Sequence, residues 1–244
     1  MKIESINNDK VKTWSKLKEK KYRDLNNMFI IEGDHLLNEA LKKGVVLEII
    51  STDKTWESSN LPFYEVTDAI MKKLSSQITP SKVIGICKKL ETKEISGNVC
   101  ILDNIQDPGN LGTIIRSAIA FNINTILMSN DTVDLYNEKV IRASEGMIFN
   151  LNYQKGSLNE MITELKNKNY KIYGTDVNKG KSLKEVVFDS KSAIIIGNEG
   201  KGMNEQLQPL CDNLIRIPIS SNCESLNAGV AASIIFYEME RINI

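Results

Sequence analysis

Three polar loops carry the residue types that could bind and orient a ligand, and each follows a short apolar segment. They occupy residues 102–116, 193–203 and 216–238. Glycines in them allow tight turns and a close approach of the backbone to a ligand. Candidates for hydrogen bonding to that ligand are Asn110, Asn198, Glu199, Ser225 and Asn227. Turn and helix-cap roles are the alternative for each of these side chains.

Arg116 is the strongest single candidate for chemistry. It lies within Ile-Ile-Arg-Ser-Ala-Ile, residues 114–119, an otherwise apolar helical segment. A charge buried among apolar side chains needs a partner, so we expect Arg116 to have one. Neither glycine-rich loop matches a common phosphate motif: residues 197–202 lack the order of a P-loop, and residues 107–112 lack the spacing of a Rossmann fingerprint.

Taken together, the loops resemble the three motifs of the SpoU, or TrmH-type, branch of the SPOUT RNA methyltransferases. These are Asn-x-Gly-x-x-x-Arg at residues 110–116, Gly-Asn-Glu-Gly at residues 197–200, and Ser-Leu-Asn at residues 225–227 before a helix of small residues. The motifs occur in the family's order, and the resemblance covers roughly residues 99–244. It implies an α/β fold: a parallel-sheet SPOUT methyltransferase domain with a C-terminal trefoil knot.

The resemblance also implies the ligand, the reaction and the site. S-adenosylmethionine would bind in a bent form, and a ribose 2′-hydroxyl of RNA would attack its sulfonium methyl group without any metal. Cofactor-binding residues by motif position are Thr175, Gly197, Asn198, Ile217 and Leu226. Residues with catalytic roles by motif position are Asn110, Arg116, Glu199, Ser225 and Asn227.

Arg116 matches the family's key arginine, but a guanidinium keeps its proton in proteins and is a poor base. We therefore assign Arg116 to clamping the target phosphate and polarising the 2′-hydroxyl, with phosphate or water accepting the proton. Asn110 would orient Arg116 or the ribose, and Glu199 would pair with a positive group or accept a proton. Ser225 and Asn227 would orient the ribose and the loop.

Residues 1–92 are predicted to form a small α/β domain, and residues 98–244 the methyltransferase domain, with a polar linker at residues 91–98. In the first domain we predict helices over residues 8–22, 34–43 and 68–75, with strands over 28–31, 46–51, 63–66 and 83–88. This part resembles the substrate-binding domain often joined to SpoU enzymes, itself similar to a ribosomal protein that grips kinked RNA. Residues 78–83 depart from the family's usual Pro-Gln-Gly turn.

The second domain alternates strands and helices, which predicts a parallel sheet covered on both faces. Expected strands are residues 99–102, 125–128, 149–153, 170–175, 192–197 and 213–217. Expected helices are residues 112–121, 135–145, 158–167 and 226–241. Ligands of such sheets bind outside the carboxyl ends of the strands, where all three loops begin.

Charge is uneven along the chain although its total is zero. Residues 1–23 contain eight basic and three acidic side chains, which favours either RNA phosphate binding or a solvated helix face. Arg142, in an Ala-Ser-x-Gly-like element, would face RNA or lie on a plain surface. A homodimer whose active sites are completed across the interface is implied by the resemblance alone.

Composition fits a soluble enzyme of one or two domains: 244 residues, 25% charged and 41% hydrophobic. Without a signal peptide or an apolar run long enough to span a bilayer, we expect a cytoplasmic protein with no membrane partner. Four cysteines without CxxC spacing and a single histidine predict buried structural thiols and no metal site. Cys223 lies in the third loop, but no histidine is near it in sequence to act as a base.

The leading functional prediction is an S-adenosylmethionine-dependent RNA 2′-O-ribose methyltransferase acting on ribosomal RNA. The alternatives are the same reaction on transfer RNA, or a non-catalytic RNA-binding protein that retains the fold. Roles in ribosome maturation and in resistance to a ribosome-directed antibiotic are both compatible with the sequence.

Overall fold

The computed structural model describes residues 1–58, 60–123 and 125–241, with Arg241 described by its backbone alone. The chain forms two compact units. The first contains residues 1–90 together with 134–149, and the second contains residues 91–133 together with the chain from residue 150 onward. The segment 134–149, which the sequence placed in the methyltransferase domain, therefore packs with the first unit.

Strands and helices make up most of the described chain. The strands are β1 (Lys2–Ile3), β2 (Met28–Glu32), β3 (Val46–Ser51), β4 (Phe63–Val66), β5 (Val83–Lys88), β6 (Val99–Leu102), β7 (Thr125–Ser129), β8 (Asn152–Gly156), β9 (Lys171–Thr175), β10 (Lys181–Ser182), β11 (Ser192–Ile196) and β12 (Asn213–Arg216). The α-helices are α1 (Asp9–Lys16), α2 (Lys20–Asn26), α3 (Asp34–Lys42), α4 (Asp68–Leu74), α5 (Pro108–Ala120), α6 (Glu138–Ala143), α7 (Leu158–Asn167) and α8 (Ala228–Arg241).

The first unit is built on a mixed sheet in the order β1-β4-β3-β5-β2. β5 pairs antiparallel with both β2 and β3, whereas β4 pairs parallel with β1 and β3. Phe29 of β2 packs against Tyr136 and Phe149, with ring centroids 4.6 and 6.5 Å away. These contacts explain why the segment 134–149 belongs to this unit.

A buried ion pair ties the same segment to the N-terminal helices. Arg23 Nη2 lies 2.5 Å from Asp134 Oδ2, and the two side chains are only 7% and 16% exposed. Arg23 also donates to the carbonyls of Leu17 and Lys18, where α1 ends. The single helix predicted over residues 8–22 is thus wrong: the chain turns after Lys16, and Arg23 satisfies the carbonyls at the break.

The second unit is a seven-stranded sheet in the order β10-β12-β9-β11-β6-β7-β8. Every pairing between these strands is parallel. All residues of β6 and β11, at the centre, are buried. This confirms the predicted α/β class, because a parallel sheet needs cover on both faces and its central strands are then apolar throughout.

Several element boundaries differ from the prediction. α5 begins at Pro108 instead of residue 112, because the Asp107 side chain caps it by accepting from Asn110 N at 2.8 Å. Asn110 is therefore in the first turn of a helix. The strand predicted over residues 149–153 lies at β8, since residues 147–150 form a 3₁₀ turn. The helix predicted over residues 135–145 is shortened to α6.

Among the described helices, none is both long and apolar enough to cross a membrane. In the same parts of the chain, no group of three or more His, Cys, Asp or Glu side chains is placed to hold a metal ion.

Gly180 marks a place where the backbone after β9 passes very close to β12. Its φ is +96°, and a Cβ there would lie 2.4 Å from the carbonyl carbon and oxygen of Leu214. Backbone strain and overpacking each cost about 1–3 kcal/mol. We expect Gly180→Ala to lower the free energy of unfolding by about 2–6 kcal/mol, measured by urea denaturation.

Gly97→Ala is the matched control for this change. Gly97 has a φ of +65°, but no described atom lies within 4 Å of its would-be Cβ. Only the backbone strain should then appear in the free energy of unfolding. Equal losses in the two variants would contradict a tight passage at Gly180.

Candidate active site

The three loops singled out in the sequence leave the sheet of the second unit at one edge. The first follows β6, the second follows β11 and the third follows β12. β6 and β11 are neighbours, and β9 lies between β11 and β12. Because parallel strands end at the same edge, the loops converge there, as predicted.

Glu199 joins the second loop to the first. Its Oε1 accepts hydrogen bonds from Asn110 Nδ2 at 3.0 Å and from the Asp107 amide at 3.1 Å, and its Oε2 accepts from the Gln106 amide at 3.2 Å. Partial burial opposes the charged form, but these hydrogen bonds outweigh it and hold the pKa of Glu199 below its ordinary value. Glu199 is thus an anion at neutral pH.

Asn110 extends this connection to the third loop. Its Oδ1 accepts from Asn227 Nδ2 at 2.7 Å, while its own Nδ2 donates to Glu199. Asn227 Oδ1 accepts from the amides of Gly229 and Val230 at 2.9 and 3.2 Å and so caps α8. Asn110, Glu199 and Asn227 form one chain of side-chain hydrogen bonds, hereafter the Asn110 network. Asn227 therefore has both of its predicted roles: it caps α8 and takes part in the site.

Asn198 and Gly197 shape the second loop. Asn198 Nδ2 donates to the Asn104 carbonyl at 2.8 Å, and its Oδ1 accepts from the amides of Gly200 and Lys201, each at 3.0 Å. A Cβ on Gly197 would lie 2.2 Å from the amide nitrogen of Met203. The hairpin geometry alone therefore requires both residue types, whatever ligand they contact.

The remaining predicted site residues lie along the same edge with different exposures. Thr175 is half-buried, and its hydroxyl donates to the Ile195 carbonyl at 2.8 Å. Ile217 and Leu226 are half-buried, whereas Ser225 is exposed. These residues are uncharged and not fully buried. Their apolar surfaces and backbone groups are therefore accessible to an uncharged part of a ligand.

Arg116 departs from the expectation drawn from its apolar neighbours. It is exposed, and no hydrogen bond or ion pair joins it to another residue of the described chain. The inward contacts of α5 are made by other residues: Ser117 Oγ lies 2.6 Å from Ser233 Oγ, and Thr113 packs against Gly229 of α8. The prediction of a buried guanidinium with a partner is wrong for the single chain.

Two contributors were missed by sequence reasoning. The amides of Gln106 and Asp107 hold Glu199, but backbone donors leave no signal in side-chain types. Asp103 is buried at the end of β6, and its Oδ2 accepts from the Asn204 amide at 2.7 Å. An acidic residue directly after an apolar strand was the available signal for Asp103.

The cysteines divide by environment. Cys87 and Cys100 are buried, and burial raises the pKa of each thiol. Partial burial raises the pKa of Cys211 to about 11. Cys223 is exposed, contrary to the prediction of four buried thiols, because the third loop lies at the surface.

Comparison of the chain with models of known protein families identifies the family to which this site belongs. A model described as the SpoU rRNA Methylase family matches residues 97–237, and one described as the MRM3-like substrate binding domain matches residues 8–85. The chain belongs to the SpoU rRNA methylase family. Membership confirms the resemblance drawn from the three motifs and the predicted class, an RNA methyltransferase.

Individual relatives cover nearly the whole chain. The 23S rRNA (guanosine(2553)-2′-O)-methyltransferase RlmP of Bacillus subtilis (strain 168) is 36% identical over 243 residues, covering 97% of this chain and 98% of that protein. A crystal structure of an RNA 2′-O ribose methyltransferase is 28% identical with a TM-score of 0.85, covering 100% and 99%. An AdoMet-bound rRNA methyltransferase from Sinorhizobium meliloti, 24% identical, shares the fold with a TM-score of 0.90 and coverage of 100% and 98%.

Proposed function

We propose that this chain transfers a methyl group from S-adenosylmethionine to the ribose 2′-hydroxyl of a guanosine in 23S ribosomal RNA. The observation that carries the proposal is the Asn110 network, which joins all three SpoU motifs at the carboxyl edge of the parallel sheet. The choice of RNA is supported by the relative from B. subtilis, which matches end to end. With ribosomal RNA as its substrate, the chain is also proposed to act in the cytoplasm.

The residues at the edge fit the adenosine part of the cofactor. Thr175, Gly197, Asn198, Ile217 and Leu226 are uncharged and partly accessible. β9, β11 and β12 are adjacent, so Thr175, Gly197, Asn198 and Ile217 lie at the ends of neighbouring strands, and Leu226 lies in the loop after β12. Bound S-adenosylmethionine supplies a methyl group already activated by its positive sulfur. The trefoil knot implied by the family would form around these segments, and the close passage at Gly180 supports it.

The side chains of the site then have separate tasks. Arg116 clamps the phosphate beside the target ribose and polarises the 2′-hydroxyl, which a fixed planar fork of donors suits. Asn110 and Asn227 fix the start of α5 and of α8, and Ser225 is exposed for contact with the ribose. Glu199 holds the first loop through its three hydrogen bonds, so its main task is positioning.

A homodimer forms part of the proposal. On α8, Val230, Ile234 and Tyr237 are 46%, 36% and 53% exposed and recur at helical spacing, which produces an apolar stripe. α8 packs against α5, the helix that carries Arg116. Pairing two copies through this stripe would cover it and place the unpaired Arg116 of one copy beside the site of the other.

RNA binding by the first unit is also proposed. Among the basic residues near the N-terminus, ion pairs are formed by Lys2, Lys10, Lys12, Lys20 and Arg23, and Lys18 donates to the carbonyls of Lys73 and Ser75. Lys16 and Lys21 are exposed and form no ion pair within the described chain. These two are therefore the better candidates for phosphate contacts in this segment.

The test is a map of 2′-O-methyl groups in total RNA from cells with and without the chain. A 2′-O-methyl group protects its phosphodiester from alkali, so we expect one position in 23S rRNA to become sensitive in cells that lack the chain. Purified chain with tritiated S-adenosylmethionine should label the same position. If the changed position lies in transfer RNA, the proposed substrate is wrong and transfer RNA takes its place. An unchanged map together with no labelling would contradict the proposed methyltransferase activity.

A further inference from the structure

Lys201, in the second loop, is a charged residue that the Asn110 network does not include. The turn that carries it is fixed by its own backbone, since Asn198 and Gly202 exchange hydrogen bonds of 3.0 and 2.9 Å. Asn198 Oδ1 also accepts from the amides of Gly200 and Lys201, each at 3.0 Å. Gly202 has a φ of +71°, which favours glycine. Lys201 is therefore held by its main chain within a rigid turn.

The two charged side chains of this turn differ in their surroundings. Glu199 accepts three hydrogen bonds from the first loop, so its charge faces the protein. The Lys201 side chain is exposed, and its ammonium group forms no hydrogen bond or ion pair with any residue of the described ranges. The turn therefore presents a free cation at the edge of the sheet where the three loops converge.

Arg216 supplies a second free cation at the same edge. It ends β12, one residue beyond Ile215, which pairs with Thr175 of β9. Arg216 is exposed, and no residue that the structure describes forms a hydrogen bond or ion pair with its guanidinium. Because β9 separates β11 from β12, the ends of β11 and β12 lie roughly 10 Å apart, at about 4.8 Å per strand spacing. Cations on these two strand ends can contact different phosphates of one RNA strand.

Acidic side chains in the neighbouring loops are engaged mainly by backbone amides. Asp107 caps α5. Asp176 Oδ1 accepts from the amides of Asn178 and Lys179, each at 2.8 Å. Glu224 of the third loop is exposed and is not ion-paired with either cation. Both cations therefore remain available to an anion from another molecule.

We propose that Lys201 and Arg216 bind two phosphates of the RNA strand that carries the target ribose, in addition to the phosphate bound by Arg116. Both cations lie next to residues proposed to hold the cofactor: Arg216 directly precedes Ile217, and Lys201 shares its turn with Asn198. Contacts to phosphates fix the position and orientation of a nucleic acid without reading its sequence. This inference rests on the proposed function, because it takes RNA as the substrate.

The first test is binding of transcribed 23S rRNA to the full chain, measured by filter binding at several salt concentrations. Each phosphate contact releases counterions, so Lys201→Gln and Arg216→Gln should each reduce the slope of log K against log salt by about 0.7–0.9. The double variant should reduce the slope by about twice as much. Lys171→Gln is the matched control, because it removes an exposed cation at the amino end of β9, and it should leave the slope unchanged.

Steady-state methyl transfer is the second measurement. A phosphate contact made equally before and during the reaction contributes to binding alone. Each glutamine variant should therefore raise the KM for 23S rRNA by about three- to tenfold and leave kcat unchanged. Lys201→Arg keeps a cation that binds phosphate and should restore the KM. Both side chains are exposed and unpaired within the described chain, so we expect all variants to fold.

An unchanged salt slope and an unchanged KM in both glutamine variants would overturn this inference alone. Calorimetry with S-adenosylmethionine separates another source of negative charge, the carboxylate of the cofactor. Weaker cofactor binding with an unchanged salt slope would assign the cation to that carboxylate and overturn the phosphate contact. A wild-type chain that neither binds nor methylates 23S rRNA would overturn the proposed function, and this inference with it.

Discussion

Arg116→Ala should lower kcat/KM for methyl transfer by about 10³-fold, the loss typical of removing a key transition-state donor. Its fold should be unaffected, since Arg116 is exposed and unpaired within the described chain and such surface changes alter stability by about 0.5 kcal/mol or less. S-adenosylmethionine binding, measured by calorimetry, should also be retained. The measurement is transfer of tritiated methyl groups to ribosomal RNA.

Two variants sharpen this result. Arg116→Lys retains the charge but loses the planar fork, so it should recover only a small part of the activity. Lys171→Ala removes an exposed cation at the amino end of β9, the opposite edge of the sheet, and should leave turnover unchanged. Near-normal turnover in Arg116→Ala would remove this guanidinium from the mechanism.

Glu199→Ala should lower kcat/KM by about 10²-fold, the cost of a small misplacement of reacting groups. Without the carboxylate, Asn110 loses one partner and the amides of Gln106 and Asp107 lose theirs, so the first loop is no longer fixed to the second. Glu199→Gln keeps one oxygen and should be intermediate. Glu160→Ala, an exposed change of the same charge on α7, is the control.

The same carboxylate predicts a direction for acid sensitivity. Because the folded pKa of Glu199 is lowered, its contribution to stability is complete above the ordinary value and is lost as pH falls through the lower folded value. Wild type and Glu199→Gln should therefore converge in stability at acid pH and differ at neutral pH. Equal stabilities of wild type and Glu199→Gln at neutral pH would contradict a stabilising role for the charge of Glu199.

Mixing the two inactive variants tests whether the site is shared between protomers. In a mixed dimer of Arg116→Ala and Glu199→Ala, one of the two sites would combine an intact Arg116 from one copy with an intact Glu199 from the other. Random mixing should then restore about a quarter of the wild-type rate, given two-fold symmetry. A mixture as inactive as its parents would mean that both residues act within one copy.

Sequence patterns predicted the central sheet well because β6, β7 and β11 are continuous apolar runs between helices, and burial on both faces demands such runs. The convergence of the loops also followed from the sequence, since parallel strands end together. The hydrogen-bond partners of the loop side chains could not be predicted from the sequence. Whether Glu199 faces a cation, a proton or two backbone amides depends on distances between segments about ninety residues apart, which spacing cannot give.

The exposure of Arg116 was mispredicted for a related reason. Apolar neighbours on both sides suggested burial, but a helix turns successive residues to different faces, and Ile114 and Ile115 are buried while Arg116 is not. The break after Lys16 was also hidden, because basic residues continue across it and the carbonyls at the break are satisfied by Arg23.

The assignment of residues 134–149 to the first unit has a consequence for biosynthesis. When residue 90 leaves the ribosome, Arg23 still lacks Asp134, and Phe29 still lacks the rings of Tyr136 and Phe149. At about 5–20 residues per second, the missing stretch follows roughly 3–12 s later. During that interval the nascent N-terminal part carries an uncompensated cation in its interior, so it completes its folding only after about a third of the catalytic sequence has been translated.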